Sequence, residues 1–155
     1  MVFLAASVGG GLAIGFFTLP GEWYARLEKP SFNPPNWIFG PVWTVLYIMI
    51  GVAGWRLWRL GETTSRAALA FVPVQIWIAQ LALNFLWSPT FFRAHRIDLA
   101  LIVIACLWMT ILAFILRARK YDKWAALLFS PYLAWVSFAM VLNAALLVLN
   151  GAAPL

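Results

Sequence analysis

The sequence predicts an all-α integral membrane protein, a single bundle of five transmembrane helices filling residues 1–155. Three observations predict it. Hydrophobic residues make up 65% of the chain and charged ones only 10%, where a soluble domain has about a quarter of its residues charged. The apolar residues gather into five runs, each near the roughly 20 residues that cross a bilayer as a helix. The runs are solidly apolar, without the alternation of a membrane barrel, and hydrocarbon offers no partner to a free backbone N–H or C=O, which leaves helices. Mean hydropathy is +0.89.

The first helix covers about residues 2–19. No basic residue precedes it and it reaches nearly spanning length before Pro20, so it reads as a membrane helix and not as a cleaved signal. Gly11 and Gly15 make a GxxxG, a close-packing signal between membrane helices. The second helix covers about 41–60, with Pro41 in its first turn, where the missing N–H needs no partner. Gly40 gives the chain room to turn there, and Trp37 and Phe39 stand at the interface. The third, fourth and fifth helices cover about 67–89, 99–116 and 124–149. Their connections are six to ten residues long, as expected between antiparallel neighbours.

The first loop, about residues 20–40, is much the longest connection. Each proline fixes its own φ and disfavours helix in the residue before it, so Pro30, Pro34 and Pro35 impose a stiff, extended strap. An aromatic belt at the headgroup level accounts for Trp23, Tyr24 and Trp124. It does not account for a proline-braced loop, whereas a lid over a cavity, with Phe32, Pro34 and Pro35 in it, needs both a fixed shape and flat apolar surfaces.

The formal charge is +6 and the pI about 10.1. The bases sit at the ends of apolar runs, so they read as topology signals and lipid-headgroup contacts, not as a nucleic-acid surface. Arg56, Arg59, Arg66, Arg117, Arg119, Lys120 and Lys123 fall on the second and fourth connections; Arg26, Lys29, Arg93 and Arg96 fall on the opposite side. The excess places the former side in the cytoplasm and the strap outside. Cys106 is the only cysteine and lies in an apolar run. It supports neither a disulfide framework nor a thiolate metal site, and reads as a small core residue. His95, the only histidine, stands in a connection, where it would reach a haem iron only at the membrane edge. No metal site and no required cofactor are predicted.

Three helices carry comparable stripes. Trp77, Gln80, Asn84, Trp87 and Phe91 are spaced by 3, 4, 3 and 4 in the third helix and share one face. Amides facing lipid are costly, so Gln80 and Asn84 face the bundle interior, either as interhelical glue or as part of a site. Tyr132, Trp135, Ala139, Leu142 and Asn143 line the fifth helix after Pro131, with Ala139 leaving space beside Trp135. Trp43, Tyr47, Ile50 and Gly54 line the second. Three such stripes can enclose a mostly apolar cavity with stacking planes and a few hydrogen-bonding groups, suited to a planar hydrophobic ligand. Asp98 and the bases of "RAHR" read as a solvated surface or as salt bridges at the rim.

The segments "WYARLEKPSFNPPNWIFGPVWTVLY", "QLALNFLWSPTFF" and "PYLAWVSFAMVLN", spanning Trp23 to Asn143, together resemble the translocator protein family, also called tryptophan-rich sensory proteins or peripheral benzodiazepine receptors. The resemblance implies a five-helix homodimer in a bacterial envelope membrane. It implies a pocket opening toward the first loop for porphyrin and haem tetrapyrroles and for isoquinoline carboxamide or benzodiazepine ligands, which the protein regulates or transports. By motif position that pocket falls on Trp37, Trp43, Tyr47, Asn84, Trp87, Tyr132, Trp135, Ala139, Leu142 and Asn143. Two departures stand out. Family members usually have tryptophan where this chain has Phe32, so an indole-dependent reaction would rest on Trp43 or another ring. The sterol motif proposed for animal members has no counterpart in "LNAALLVLNGAAPL", which lacks both tyrosine and base after Leu142.

Two further readings compete with a sensor. A light- and oxygen-dependent porphyrin-degrading enzyme would draw an electron from a pocket tryptophan, Trp43 first, although no acid–base pair is visible. A small multidrug transporter would need a membrane-embedded carboxylate, for which Asp98 alone is available.

Overall fold

The computed structural model describes residues 2–64 and 67–151. Five long helices follow one another: α1 (Val2–Phe17), α2 (Phe39–Thr64), α3 (Val72–Phe92), α4 (Ile97–Ala118) and α5 (Lys123–Asn150). No strand occurs among the described residues. Arg66, counted above in the charge bias, and both ends of the expected 1–155 domain lie outside the described residues. α2, α4 and α5 are each long and apolar enough to span a bilayer, and α1 is a shorter apolar helix. The 21 residues of α3 carry the amides.

Local chemistry sets the boundaries. Pro41 stands in the first turn of α2 and Pro73 in that of α3. Asp122 caps α5, accepting from the Trp124 and Ala125 N–H groups at 2.9 and 3.1 Å. Gly151, at φ +77°, ends α5 in a conformation that a side chain would resist. Residues Ala5–Gly9 of α1 form a π-helical segment, and within it the Ser7 hydroxyl lies 2.9 Å from the Phe3 carbonyl and 2.8 Å from the Tyr47 carbonyl of α2.

Lipid tails are as apolar as leucine, so the bundle is held by close packing and interhelical hydrogen bonds more than by hydrophobic transfer. The main core joins α2, α3, α4 and α5 around Ile50, Leu57, Trp77, Leu107, Ile111 and Phe129, with Phe114 stacked on Phe129 at 3.8 Å. A second cluster forms where the strap meets the bundle: Tyr24 and Leu27 pack on Phe91, Ile97, Ala100, Leu142 and Leu146. Only Gly11 of the GxxxG pair makes a close approach. A Cβ there would strike the Tyr47 ring, whereas one on Gly15 would meet nothing within 4 Å. Gly54 plays the same part under Trp77, whose ring leaves a Cβ only 2.5 Å.

Three sequence expectations are corrected. Cys106 is exposed on the outside of α4 and is not a core residue, because an apolar run surrounded by lipid is as apolar outside as inside. The strap is not extended throughout: Glu22–Arg26 forms a helical turn and Asn36–Ile38 a 3₁₀ turn on either side of the prolines. Trp23 and Tyr24 belong to packing and not to a headgroup belt, since Tyr24 is 5% exposed and Trp23 stacks on His95 at 4.2 Å. Trp124, 66% exposed, does face outward.

Candidate functional site

Asn84 sits at the centre of the strap-side half of the bundle. Tyr47 donates its hydroxyl proton to Asn84 Oδ1 at 2.7 Å, and Asn84 Nδ2 donates to the Tyr132 hydroxyl at 2.8 Å. One amide thus ties α2, α3 and α5 together, and all three residues are buried. The 3,4 spacing foreseen for α3 delivers it to the interior, as does the spacing that carries Trp43 and Tyr47 on α2. Trp43 stacks on Tyr47 at 5.3 Å and meets the edge of Tyr132 at 6.2 Å. One to two turns deeper, Trp77 Nε1 donates to the Ile50 carbonyl at 2.8 Å and Gln80 Nε2 to the Trp77 carbonyl at 3.0 Å. Gln80 Oε1 is buried without a partner among the described residues.

Beside this chain an apolar groove of about 590 Å³ opens between α2 and α5. Pro41, Val45 and Leu46 form one wall, Pro131, Trp135 and Phe138 the other. Trp135 is half-buried, and its indole N–H is buried without an acceptor among the described residues. Its ring meets Phe39 at 5.8 Å and Phe138 at 5.6 Å. Phe32 of the strap comes edge-on to Phe138 at 6.4 Å, so the strap reaches one wall of the groove.

Leu142 and Asn143 lie at the second cluster under the strap, and Trp87 packs between that cluster and the main core. Trp87 Nε1 donates to Asn143 Oδ1 at 3.1 Å, and Asn143 Nδ2 donates to the Ile97 carbonyl at 2.9 Å. Trp87 also stacks on Phe91 at 5.3 Å. The residues expected to line one hollow therefore divide: Trp43, Tyr47, Asn84 and Tyr132 are joined, Trp135 borders the groove, Leu142 and Asn143 pack under the strap, and Trp87 bridges the two clusters. Ala139 is half-buried against the main core. Trp37 is 73% exposed, Pro34 half-buried and Pro35 exposed.

Sequence reasoning missed the aliphatic walls of the groove. Pro41, Val45 and Leu46 share a face, but in a lipid-facing helix a valine lining a groove and one touching acyl chains give the same signal.

Three ion pairs occur among the described residues, and only Arg56–Asp122 joins distant parts of the chain. Arg56 grips Asp122 through two bonds of 2.7 and 3.1 Å, and Arg96 grips Asp98 at 2.8 and 2.6 Å. Arg26 pairs with Glu22 at 3.2 Å on the exposed loop helix. Burial pushes the Asp122 carboxyl up, but its bonds from Arg56 and from the α5 backbone together outweigh that and leave it below the usual carboxylate range. Burial raises the Tyr24 hydroxyl, and the bond to Asn33 offsets part of the rise. Lys29 lies 4.9 Å from the centre of the Tyr24 ring and bonds only backbone carbonyls.

Comparison with known proteins gives a consistent result. Residues 2–149 match the family described as TspO/MBR. A tryptophan-rich sensory protein of Cereibacter sphaeroides is 41% identical over 143 residues, covering 92% of this chain and 85% of that protein. The tryptophan-rich protein TspO of Archaeoglobus fulgidus is 42% identical over 154 residues, covering 95% and 96%. The human translocator protein is 38% identical over 137 residues, covering 86% of this chain and 79% of its own length.

Proposed function

We propose, from the premise that the chain belongs to the TspO/MBR family of multi-pass membrane proteins, that it is a receptor or sensor for porphyrin and haem-type tetrapyrroles. Isoquinoline carboxamide and benzodiazepine-type molecules are ligands of the same chemical kind. The observation that carries this reading is the α2–α5 groove, with the Trp135 ring in its wall and the Trp43–Tyr47 stack alongside. Its volume of about 590 Å³ falls in the range of small-molecule sites, and its almost wholly apolar walls offer a planar apolar ligand a stacking surface.

Lys29 and Arg93 supply bases at the strap end, and neither has a carboxylate partner among the described residues. They suit the carboxylates of a tetrapyrrole. The cellular setting that agrees with this reading is a homodimer in a bacterial envelope membrane, regulating or transporting the ligand.

Titration of the purified protein with protoporphyrin, followed by tryptophan fluorescence, tests the reading. Saturable quenching that weakens in Trp135→Phe supports it; quenching that rises linearly with ligand sinks it. Illumination in air tests the alternative, a porphyrin-degrading enzyme: loss of the porphyrin spectrum that requires Trp43 would favour chemistry over simple binding.

A further inference from the structure

The end of the bundle opposite the strap is strongly basic. Arg56 and Arg59 lie in the last turns of α2, and Arg117, Arg119, Lys120 and Lys123 lie on and around the turn from α4 to α5. Only Glu62 and Asp122 stand against them among the described residues. Both acids are occupied. Glu62 accepts from the Trp58 indole at 2.9 Å. Asp122 Oδ2 accepts from Arg56 Nε at 2.7 Å, and its Oδ1 accepts from Arg56 Nη2 at 3.1 Å and from the Trp124 and Ala125 N–H groups at 2.9 and 3.1 Å. A carboxylate has about four lone-pair sites, so Asp122 has none left for the lysines beside it. Arg117, Arg119, Lys120 and Lys123 are exposed, and none stands in an ion pair among the described residues. The strap end differs, since Arg26 and Arg96 there are paired with Glu22 and Asp98.

The turn that carries these bases is braced. The Tyr121 and Asp122 N–H groups donate to the Ala118 carbonyl at 2.9 and 2.7 Å, and the Lys120 N–H donates to the Arg117 carbonyl at 3.2 Å. The Tyr121 ring meets Phe71 edge-on at 4.9 Å, which ties the turn to the start of α3, while Arg56 ties it to α2. Rings beside the bases mark their depth. Trp124 is 66% and Tyr121 53% exposed, and exposed rings at the ends of membrane helices settle among lipid headgroups. The first N–H groups of α5 are already filled by Asp122, so what remains to attract an anion is the side chains.

We propose that the α4–α5 turn is a binding site for an anionic glycerophospholipid, with Arg119, Lys120 and Lys123 holding its phosphate at headgroup depth. The site selects by headgroup charge: phosphatidylglycerol brings an uncompensated negative charge, whereas the phosphate of phosphatidylcholine is neutralised by its own ammonium. The occupant is a lipid and not a soluble phosphate, because Trp124 and Tyr121 set apolar surface beside the bases that acyl chains cover and a free anion does not. This is a property of the folded turn, separate from the bias of bases that orients a chain during insertion, and it does not rest on the tetrapyrrole reading.

The full-length protein in a neutral detergent, titrated with dioleoyl phosphatidylglycerol and followed by native mass spectrometry and thermal melting, tests the site. The wild type should retain phosphatidylglycerol in preference to dioleoyl phosphatidylcholine and melt higher in its presence, as a ligand of the folded state requires. Arg119→Gln/Lys120→Gln/Lys123→Gln should melt like the wild type without lipid, since all three side chains are exposed and outside the ion pairs. It should bind phosphatidylglycerol about a hundredfold more weakly, at about fivefold per base. Lys123→Gln alone should lose about fivefold and serves if the triple variant folds poorly. Arg26→Gln, at the other end, should bind like the wild type. Raising salt from 0.1 to 1 M shortens the screening length from about 10 to about 3 Å and should shrink the melting shift. Equal retention of the two lipids, unchanged affinity in the triple variant, or a shift indifferent to salt overturns the site. Inorganic phosphate that reproduces the shift at the same concentration overturns its assignment to a lipid.

Discussion

Trp87 and Trp135 lie at the same end of the bundle on comparable stripes, yet they do opposite things. Trp87 is locked: its N–H is bonded to Asn143, its ring stacks on Phe91, and Asn143 is bonded in turn to α4. The Trp135 ring borders the open groove, while its N–H is buried with no acceptor among the described residues. Both are half-buried, so burial does not separate them. Inside a bilayer the exterior is as apolar as the core, and what separates a structural indole from a binding one is whether its polar atom is satisfied and whether its face is covered.

The largest expected effect falls on the residue between the two regions. Asn84→Leu leaves the buried Tyr47 and Tyr132 hydroxyls without their shared partner and should destabilise the fold by about 3 kcal/mol, read as a loss of thermal stability in detergent. A variant as stable as the wild type would mean that the amide holds nothing together. Gly11→Val drives a side chain into Tyr47 and should cost about 2 kcal/mol. Gly15→Val, with open space, should leave the melting temperature unmoved; equal losses at both positions would restore the GxxxG as a unit.

The comparison itself is tested by a matched pair. Trp87→Phe strands Asn143 Oδ1 and should cost about 1 kcal/mol. Trp135→Phe strands nothing and should unfold like the wild type, while weakening porphyrin binding. If both variants lose stability and neither loses ligand, the distinction between the two regions is wrong.

The smallest effect concerns pH at the opposite end. The Asp122 carboxyl lies below the unfolded value of 3.8. Its contribution is therefore fully present above that value and declines as pH falls through the folded pKa. Asp122→Asn keeps a cap at α5 but loses the ion pair with Arg56. It should melt slightly lower at neutral pH and show a flatter decline in acid than the wild type.

How much was legible depended on what each residue had to satisfy. The inward turn of Gln80, Asn84, Tyr47 and Tyr132 could be read in advance, because an unpaired amide in hydrocarbon is costly and helical spacing says which residues travel with it. Pro41 marks a helix start for an equally local reason, whereas the third helix, expected from about residue 67, begins only at Val72. Cys106, Trp23 and the groove walls Val45 and Leu46 could not be placed, because an apolar side chain in an apolar helix carries no sign of which way it faces. The hydrogen bonds between the Glu28 backbone and Asn150, 122 positions apart, leave no trace in the local pattern of either residue.

The sequence by itself determined an all-α membrane bundle, its five helices, their order and the polar stripe along α3. These follow from bilayer thickness and from the cost of unpaired backbone and amide groups, both of which act locally. The tertiary structure alone decided that the stripes divide between a packed cluster and a groove, and that the strap is tied down through Asn150. Those outcomes depend on how closely helices approach and on which donors find acceptors across them, and no single segment contains that information.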